Sequence, residues 1–152
     1  MLRNAIPEAW RTALKDQDKR AGATVRRILA ALKDRDIAAR GKGNTAGIGD
    51  DELLQMLQTM VKQRRDSIEM YEKGGRLELA EQEAEEIAII ERFLPQQLGE
   101  AEIATAVDQV IADVGAGGLK DMGNVMGALR ERYAGQMDFG KASAAVKARL
   151  SG

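Results

Sequence analysis

The chain has 152 residues, no cysteine and no histidine, and its formal net charge is −1. This composition excludes disulfides, thiolate nucleophiles and metal sites built from cysteine or histidine, and it removes the commonest general base of enzymes. A chain of this length buries roughly 70% of its unfolded surface on folding, so it can form one moderate domain or two small ones without covalent cross-links.

Apolar residues recur at helical spacing between glycine-rich breaks, and no segment alternates with the period of a strand. We therefore expect an all-α protein. The first helix is predicted to begin near Asn4, with Pro7 in its first turn, and the second to cover roughly 22–39. The stretch 40–49 has four glycines in ten residues, so we expect an exposed, mobile loop there.

The third and fourth helices are predicted to follow that loop. Either Asp50 or Asp51 is expected to cap the third helix, which should end at the glycine pair 74–75. The fourth should continue to about Phe93 before a proline closes it. The side chains predicted to face inward from the fourth helix are Leu77, Ala80, Ala84, Ile87 and Ala88.

The segment 94–99 is the best candidate for a domain boundary because it joins a proline to the start of a new helical pattern. We expect an N-terminal bundle of helical hairpins over residues 1–94 and a small C-terminal domain of three helices over residues 99–150. The first of these three helices is predicted to end at about residue 115. The second is predicted to cover about 121–134, and the third about 138–150.

Positive charge is concentrated towards the N-terminus. Residues 1–45 carry eleven Lys and Arg against five Asp and Glu, whereas residues 74–102 carry two against eight. On the second predicted helix, cations spaced seven residues apart lie opposite the apolar side chains, a pattern that suits a phosphate backbone. An ordinary solvated helix face is the alternative interpretation. The candidate nucleic-acid-binding residues of this region are Lys19, Arg26, Arg27, Lys33, Arg40 and Lys42.

The fourth predicted helix is acidic. We interpret its glutamates as a solvated face and not as a divalent-metal site, because hard cations need oxygens that converge from a loop or from several elements. No metal ligand set is assigned. The glutamates in question are Glu78, Glu81, Glu83, Glu85, Glu86 and Glu91.

Two glycines one turn apart mark the C-terminal region. Gly123 and Gly127, with Arg130 beside them, flank an apolar stripe of a predicted helix that is formed by Val125, Met126, Leu129 and Tyr133. Each glycine costs the helix roughly 1 kcal/mol relative to alanine, and together they expose backbone that another molecule can approach closely. Tight packing of two helices is the alternative use of such a pair.

The segment 120–150, together with the stretches 33–40, 62–67, 71–76 and 93–95, resembles a known family. The C-terminal segment is similar to the tail of the B subunit of the glutamyl/aspartyl-tRNA amidotransferases. The chain as a whole resembles stand-alone members of the GatB/YqeY family.

Because the chain has no cysteine, no histidine and no serine-rich site, we expect a non-catalytic module without a cofactor. The resemblance implies that this module binds tRNA or assists a tRNA-dependent amidotransferase. Its implied partners are tRNA and components of an amidotransferase or an aminoacyl-tRNA synthetase. The tail positions that it carries over are Lys120, Gly123, Gly127, Gly135 and Lys147. With Arg130 added as a nearby charge, all of these except Gly135 are candidate nucleic-acid-binding residues.

Two other functions stay open at this point. Family membership suggests a component of a carbon–nitrogen ligase that uses glutamine as amide donor. However, the chain has neither a glutaminase nor the serine-rich site that an amidase needs. A protein-interaction module without an RNA role is the other alternative. Because no apolar run reaches the roughly 20 residues of a membrane span and no signal-peptide pattern opens the sequence, we expect a cytoplasmic protein without membrane contact.

Overall fold

The computed structural model describes residues 1–151, and all regular structure in this range is helical, which confirms the all-α prediction. The chain folds into two compact units, one of Met1–Pro95 and one that begins at Gln96. No helix within residues 1–151 is long and apolar enough to cross a membrane. The α-helices are α1 (Leu2–Lys15), α2 (Lys19–Gly41), α3 (Asp50–Lys73), α4 (Leu77–Glu91), α5 (Glu100–Val114), α6 (Met122–Arg132) and α7 (Phe139–Ser151), and a 3₁₀ turn covers Leu119–Asp121.

The first two helices begin earlier than the sequence predicts. Because α1 starts at Leu2, Pro7 lies in its second turn, where its missing N–H leaves the carbonyl of Arg3 without the usual helical donor. The second helix starts before its glycine because the carboxylate of Asp18 accepts a hydrogen bond from the backbone N–H of Ala21 at 3.0 Å. This cap satisfies one of the free donors at the helix N-terminus.

The predicted cap of α3 is wrong. The capping residue is Gly49, which is extended and has no side chain to accept a hydrogen bond, and Asp50 is already helical. Three acidic residues occupy the first turn of α3. Their negative charges interact favourably with the helix dipole there, and this interaction stabilises the N-terminus without a side-chain cap.

Unit 1 packs α1 to α4 around one apolar core. The predicted inward face of α4 is wrong for three of its five residues: Leu77 is 65% exposed, and Ala84 and Ala88 are not buried either. The helix is rotated towards a neighbouring stripe that is richer in isoleucine and buries more apolar area. The fully buried large side chains of this core are Ile6, Val25, Ile28, Leu53, Met56, Leu57 and Ile90.

The loop between α2 and α3 is held at one end. Asp36 accepts two hydrogen bonds from the guanidinium of Arg3, at 2.8 and 3.0 Å, and a third from the backbone N–H of Ile48 at 2.9 Å. Arg3 also donates to the carbonyl of Ile48 at 2.7 Å, and the Ile48 side chain is buried. The predicted exposure therefore holds for residues 42–46 and fails at Ile48.

Unit 2 packs α5, α6 and α7 around a second core. The chain leaves α5 at Gly115, whose φ of 67° is left-handed and favours glycine. At the other end of α5, the carboxylate of Glu102 accepts a hydrogen bond from the backbone N–H of Gly99 at 3.2 Å. The buried side chains of this core are Ile103, Ala106, Val107, Val110, Val125, Met126, Leu129, Met137, Ala142 and Val146.

Candidate nucleic-acid interface

The cations of α2 form an outward ridge. Lys19, Arg26, Lys33 and Arg40 are exposed and lie beside the buried face of the helix, on an edge that also holds the buried Gly22. A spacing of seven residues rotates the position by only about 20° per step, so the four side chains follow one edge of the helix. Lys42 is the exposed C-cap residue that follows it.

The ridge cations form no direct ion pair within residues 1–151, although the charge of Arg40 acts on Asp36. Among residues 1–151, no carboxylate oxygen lies within 4.0 Å of the side-chain nitrogens of Lys19, Arg26, Lys33, Arg40 or Lys42. Exposed cations without a carboxylate beside them keep their charge available for phosphate groups.

Arg27 differs from the other α2 candidates. Its guanidinium donates to the carboxylate of Glu86 on α4 at 2.8 Å, although 60% of the Arg27 side chain stays exposed. Its neighbour on the same side, Arg20, pairs with Glu85 at 3.2 Å. These two arginines therefore connect α2 to α4, whereas the ridge cations face solvent.

The interpretation of the α4 glutamates as a solvated face is wrong for Glu86. This residue is 6% exposed and accepts a second hydrogen bond from Arg64 of α3 at 2.9 Å. Two cations that satisfy one buried carboxylate explain how it can lie inside the core. The signal in the sequence was the position of Glu86 next to Ile87, Ile89 and Ile90, the isoleucines that are buried on α4.

The tail glycines do not pack against another helix. A Cβ atom added to Gly123 or to Gly127 would meet no atom within 4 Å outside its own helix turns, and both residues are exposed. The spacing from Gly123 to Gly127 to Arg130 places all three on one face of α6, away from the buried Val125 and Leu129. Within residues 96–151, neither glycine therefore packs tightly against another helix, and the two leave an open strip of helix backbone.

Cations border this strip. Lys120 precedes it by three residues in the 3₁₀ turn, and Arg130 lies at its other end with its guanidinium 5.8 Å from the centroid of the Phe139 ring. The aromatic ring is a favourable platform for the cation. The sequence did not indicate this contact, because Phe139 belongs to α7.

The other tail candidates are dispersed. Lys147 is exposed on α7, a different helix from the glycine strip, and Gly135 is buried with a φ of 74° and accepts a hydrogen bond from the side-chain amide of Gln97. Gly135 thus serves the turn that precedes α7. Arg132 and Arg149 pair with carboxylates of α5, and the Arg132 guanidinium lowers the pKa of Asp113.

The charged side chains that these two surfaces expose are cationic. The described residues contain no cluster of three or more acidic side chains arranged to hold a metal ion. Each surface offers cations and, in the tail, bare backbone, which suits contact with phosphate and sugar groups more than the reading of base edges.

The curated relatives that the chain matches are fungal. The chain is 32% identical over 104 residues to "Altered inheritance of mitochondria protein 41, mitochondrial" of Lachancea thermotolerans, covering 67% of this chain and 54% of that protein. It is 28% identical over 113 residues to the protein of the same name from Kluyveromyces lactis, covering 72% and 58% respectively. The chain therefore spans little more than half the length of these relatives.

The sequence model of one family, described as Yqey-like protein, matches residues 3–150. The match includes both compact units and both cationic surfaces. The chain belongs to this Yqey-like family.

Proposed function

We propose that this protein is a non-catalytic module that binds tRNA, or that assists a tRNA-dependent amidotransferase, through the open strip of α6. The observation that carries the proposal is the exposure of Gly123 and Gly127 between Lys120 and Arg130. Two glycines destabilise a helix by about 2 kcal/mol together, and no packing contact offsets that cost. A surface that a ligand approaches closely would explain them.

The residues of the strip suit the backbone of a folded RNA. Bare helix backbone admits ribose and phosphate at short range, and the flanking cations neutralise phosphates. The aromatic ring beside the strip, Phe139, is half-buried and lies under Arg130, so it supports the cation. Recognition would therefore depend on shape and charge more than on base identity.

The ridge of α2 is the second proposed RNA surface. Its cations are Lys19, Arg26, Lys33 and Arg40, followed by Lys42. Arg27 adds the exposed part of its side chain, although its guanidinium is paired with Glu86. Because each of the two surfaces belongs to its own unit, charge reversal on one leaves the core of the other intact.

A cytoplasmic location is part of this proposal, while the names of the two fungal relatives assign those proteins to mitochondria.

A salt titration of binding to bulk tRNA tests the proposal. If about four phosphates are contacted, log K should fall with log salt concentration with a slope of roughly −3 to −4. The double variant Arg26→Glu/Lys33→Glu should weaken binding to all tRNAs alike, because phosphates carry no sequence information. Absence of binding at low salt, where charge attraction is strongest, would refute the RNA role and favour a module that binds only proteins.

A further inference from the structure

Unit 1 has a concave surface that neither cationic surface uses. It is a cavity of about 350 Å³ between α1, the N-terminal end of α2 and the C-terminal end of α4, open to solvent on one side. This volume lies at the lower end of the range of binding pockets, roughly 300–1,000 Å³. It is large enough for a few side chains of a partner.

The floor of the groove is apolar and made largely of small side chains. Ala5 and Ala9 line it from α1, four residues apart, and Val25, Ile89 and Phe93 line it from α2 and from the end of α4. Ala5 is exposed, and Ala9 and Phe93 are half-buried. Small residues one turn apart leave a depression that bulky side chains of another helix can fill.

The border of the groove is negative. Glu8, Asp16 and Asp18 lie around it, and among residues 1–151 Arg92 is the one cation that lines it. Glu8 pairs with Arg11 at 3.0 Å, and Asp18 caps α2, but the carboxylate of Asp16 forms no ion pair within the described part of the chain.

Two helix ends add to this negative potential. α1 ends at Lys15 and α4 ends at Glu91, so both C-termini lie beside the groove. Each presents the partial negative charge of its last carbonyl groups. The N-terminus of α2, also at the groove, carries the opposite partial charge, which the Asp18 carboxylate offsets. With three carboxylates against Arg92, the border favours a cationic partner over the phosphates of a nucleic acid.

We propose that this groove docks an amphipathic helix of a partner protein, with an apolar ridge that fills the floor and lysine or arginine residues that meet the acidic border. The apolar floor fits the anchors of a helix laid in a groove, and the described residues offer no sheet edge for strand addition. This inference adds a protein partner to the RNA role and does not depend on it.

The test uses the full-length protein and a fluorescent peptide of about 18 residues that has leucines at i, i+4 and i+7 with flanking lysines. Binding is followed by fluorescence anisotropy, with a second peptide in which glutamates replace the lysines. The protein variants are Ala5→Trp, which fills the groove from an exposed position, and Asp16→Lys, which reverses a border charge. The control is Glu81→Lys, which reverses an exposed charge of α4 outside the groove.

We expect the lysine peptide to bind the natural protein and the glutamate peptide not to bind. Ala5→Trp should weaken binding at least about tenfold, since it removes the space for the apolar anchors, and Asp16→Lys about threefold or more. Glu81→Lys should leave binding within about twofold.

The proposal would be overturned if the lysine peptide did not bind, or if Ala5→Trp left its affinity unchanged. It would also be overturned if Asp16→Lys and Glu81→Lys lowered the affinity equally, because that result would indicate diffuse charge attraction. Titration of the same variants with tRNA keeps this result separate from the RNA role. None of the three substitutions lies on either cationic surface.

Discussion

Single side chains hold unit 1 in one arrangement. Glu86 receives hydrogen bonds from Arg27 and Arg64, which come from α2 and α3, so one carboxylate fixes the position of α4 against two other helices. Arg64 is itself only 12% exposed and also donates to the carbonyl of Met60 at 3.1 Å. A buried charge with satisfied partners restricts how the helices can slide, because any shift would leave it unpaired.

Replacement of Glu86 by alanine should therefore destabilise the protein strongly. The change leaves the Arg64 guanidinium buried without its counter-ion, a loss of about 3 kcal/mol or more in the free energy of unfolding. Urea denaturation measures it. Glu85→Ala on the same helix is the matched control, because the Glu85 side chain is 52% exposed and its ion pair contributes less than about 1 kcal/mol. Equal stabilities of the two variants would contradict this role of Glu86.

Asp36 makes stability depend on pH in the acid range. Hydrogen bonds from the Arg3 guanidinium and from the backbone N–H of Ile48 lower the pKa of this carboxyl from 3.8 to about 2. The ionised form is favoured in the folded state, so its contribution is complete above the unfolded pKa and disappears as the pH falls from about 4 through 2.

The variant Asp36→Asn should lose this pH dependence. Between pH 5 and pH 2, the free energy of unfolding should fall further in the natural protein than in the variant, by on the order of 1–2 kcal/mol. Urea denaturation across that interval is the measurement. Parallel pH profiles for the two proteins would show that Asp36 is not the titrating group.

Among the elements, the loop between α2 and α3 depends on one glycine. Gly43 and Gly47 share the same left-handed φ of 91°, but a Cβ at Gly43 would meet nothing within 4 Å, whereas a Cβ at Gly47 would lie 2.7 Å from Nη2 of Arg3 and 2.8 Å from Oδ1 of Asp36. The two positions therefore separate backbone strain from steric conflict with the Arg3–Asp36 pair.

Gly43→Ala should destabilise the protein by about 1 kcal/mol, the cost of a left-handed alanine. Gly47→Ala should cost more, about 2–3 kcal/mol, because the added methyl group also displaces the ion pair that anchors the loop. Thermal unfolding monitored by circular dichroism gives both values. If Gly47→Ala is no more destabilising than Gly43→Ala, the anchor contributes little.

Helical periodicity predicted the elements well and their orientation less well. The buried face of α6 matches the prediction because Val125, Met126 and Leu129 form one unambiguous stripe. Apolar residues surround much of α4, so periodicity could not choose between the stripe of Leu77 and that of Ile90. The choice depends on the isoleucines of the buried stripe and also on Arg27 and Arg64, which are distant in sequence and which the pattern of α4 does not contain.

At the scale of the whole molecule, each of the two units has its own core and its own cationic surface. The sequence predicted that Lys19, Arg26 and Lys33 share one edge of α2, since spacing alone places them there, whereas the tail candidates came from the family resemblance. It left the role of Gly123 and Gly127 open, because packing or exposure of a helical glycine depends on the neighbouring helices. In the structure, both glycines face solvent.

The central claim is that the strip of α6 is a binding surface, and Gly127→Leu tests it most directly. Because an added Cβ meets nothing within 4 Å, the variant should be as stable as the natural protein or up to about 1 kcal/mol more stable. Its affinity for tRNA at low salt should fall at least about tenfold, since the side chain covers the exposed backbone. Measurement of both quantities on one sample distinguishes the outcomes: unchanged affinity in a stable Gly127→Leu protein would contradict the account.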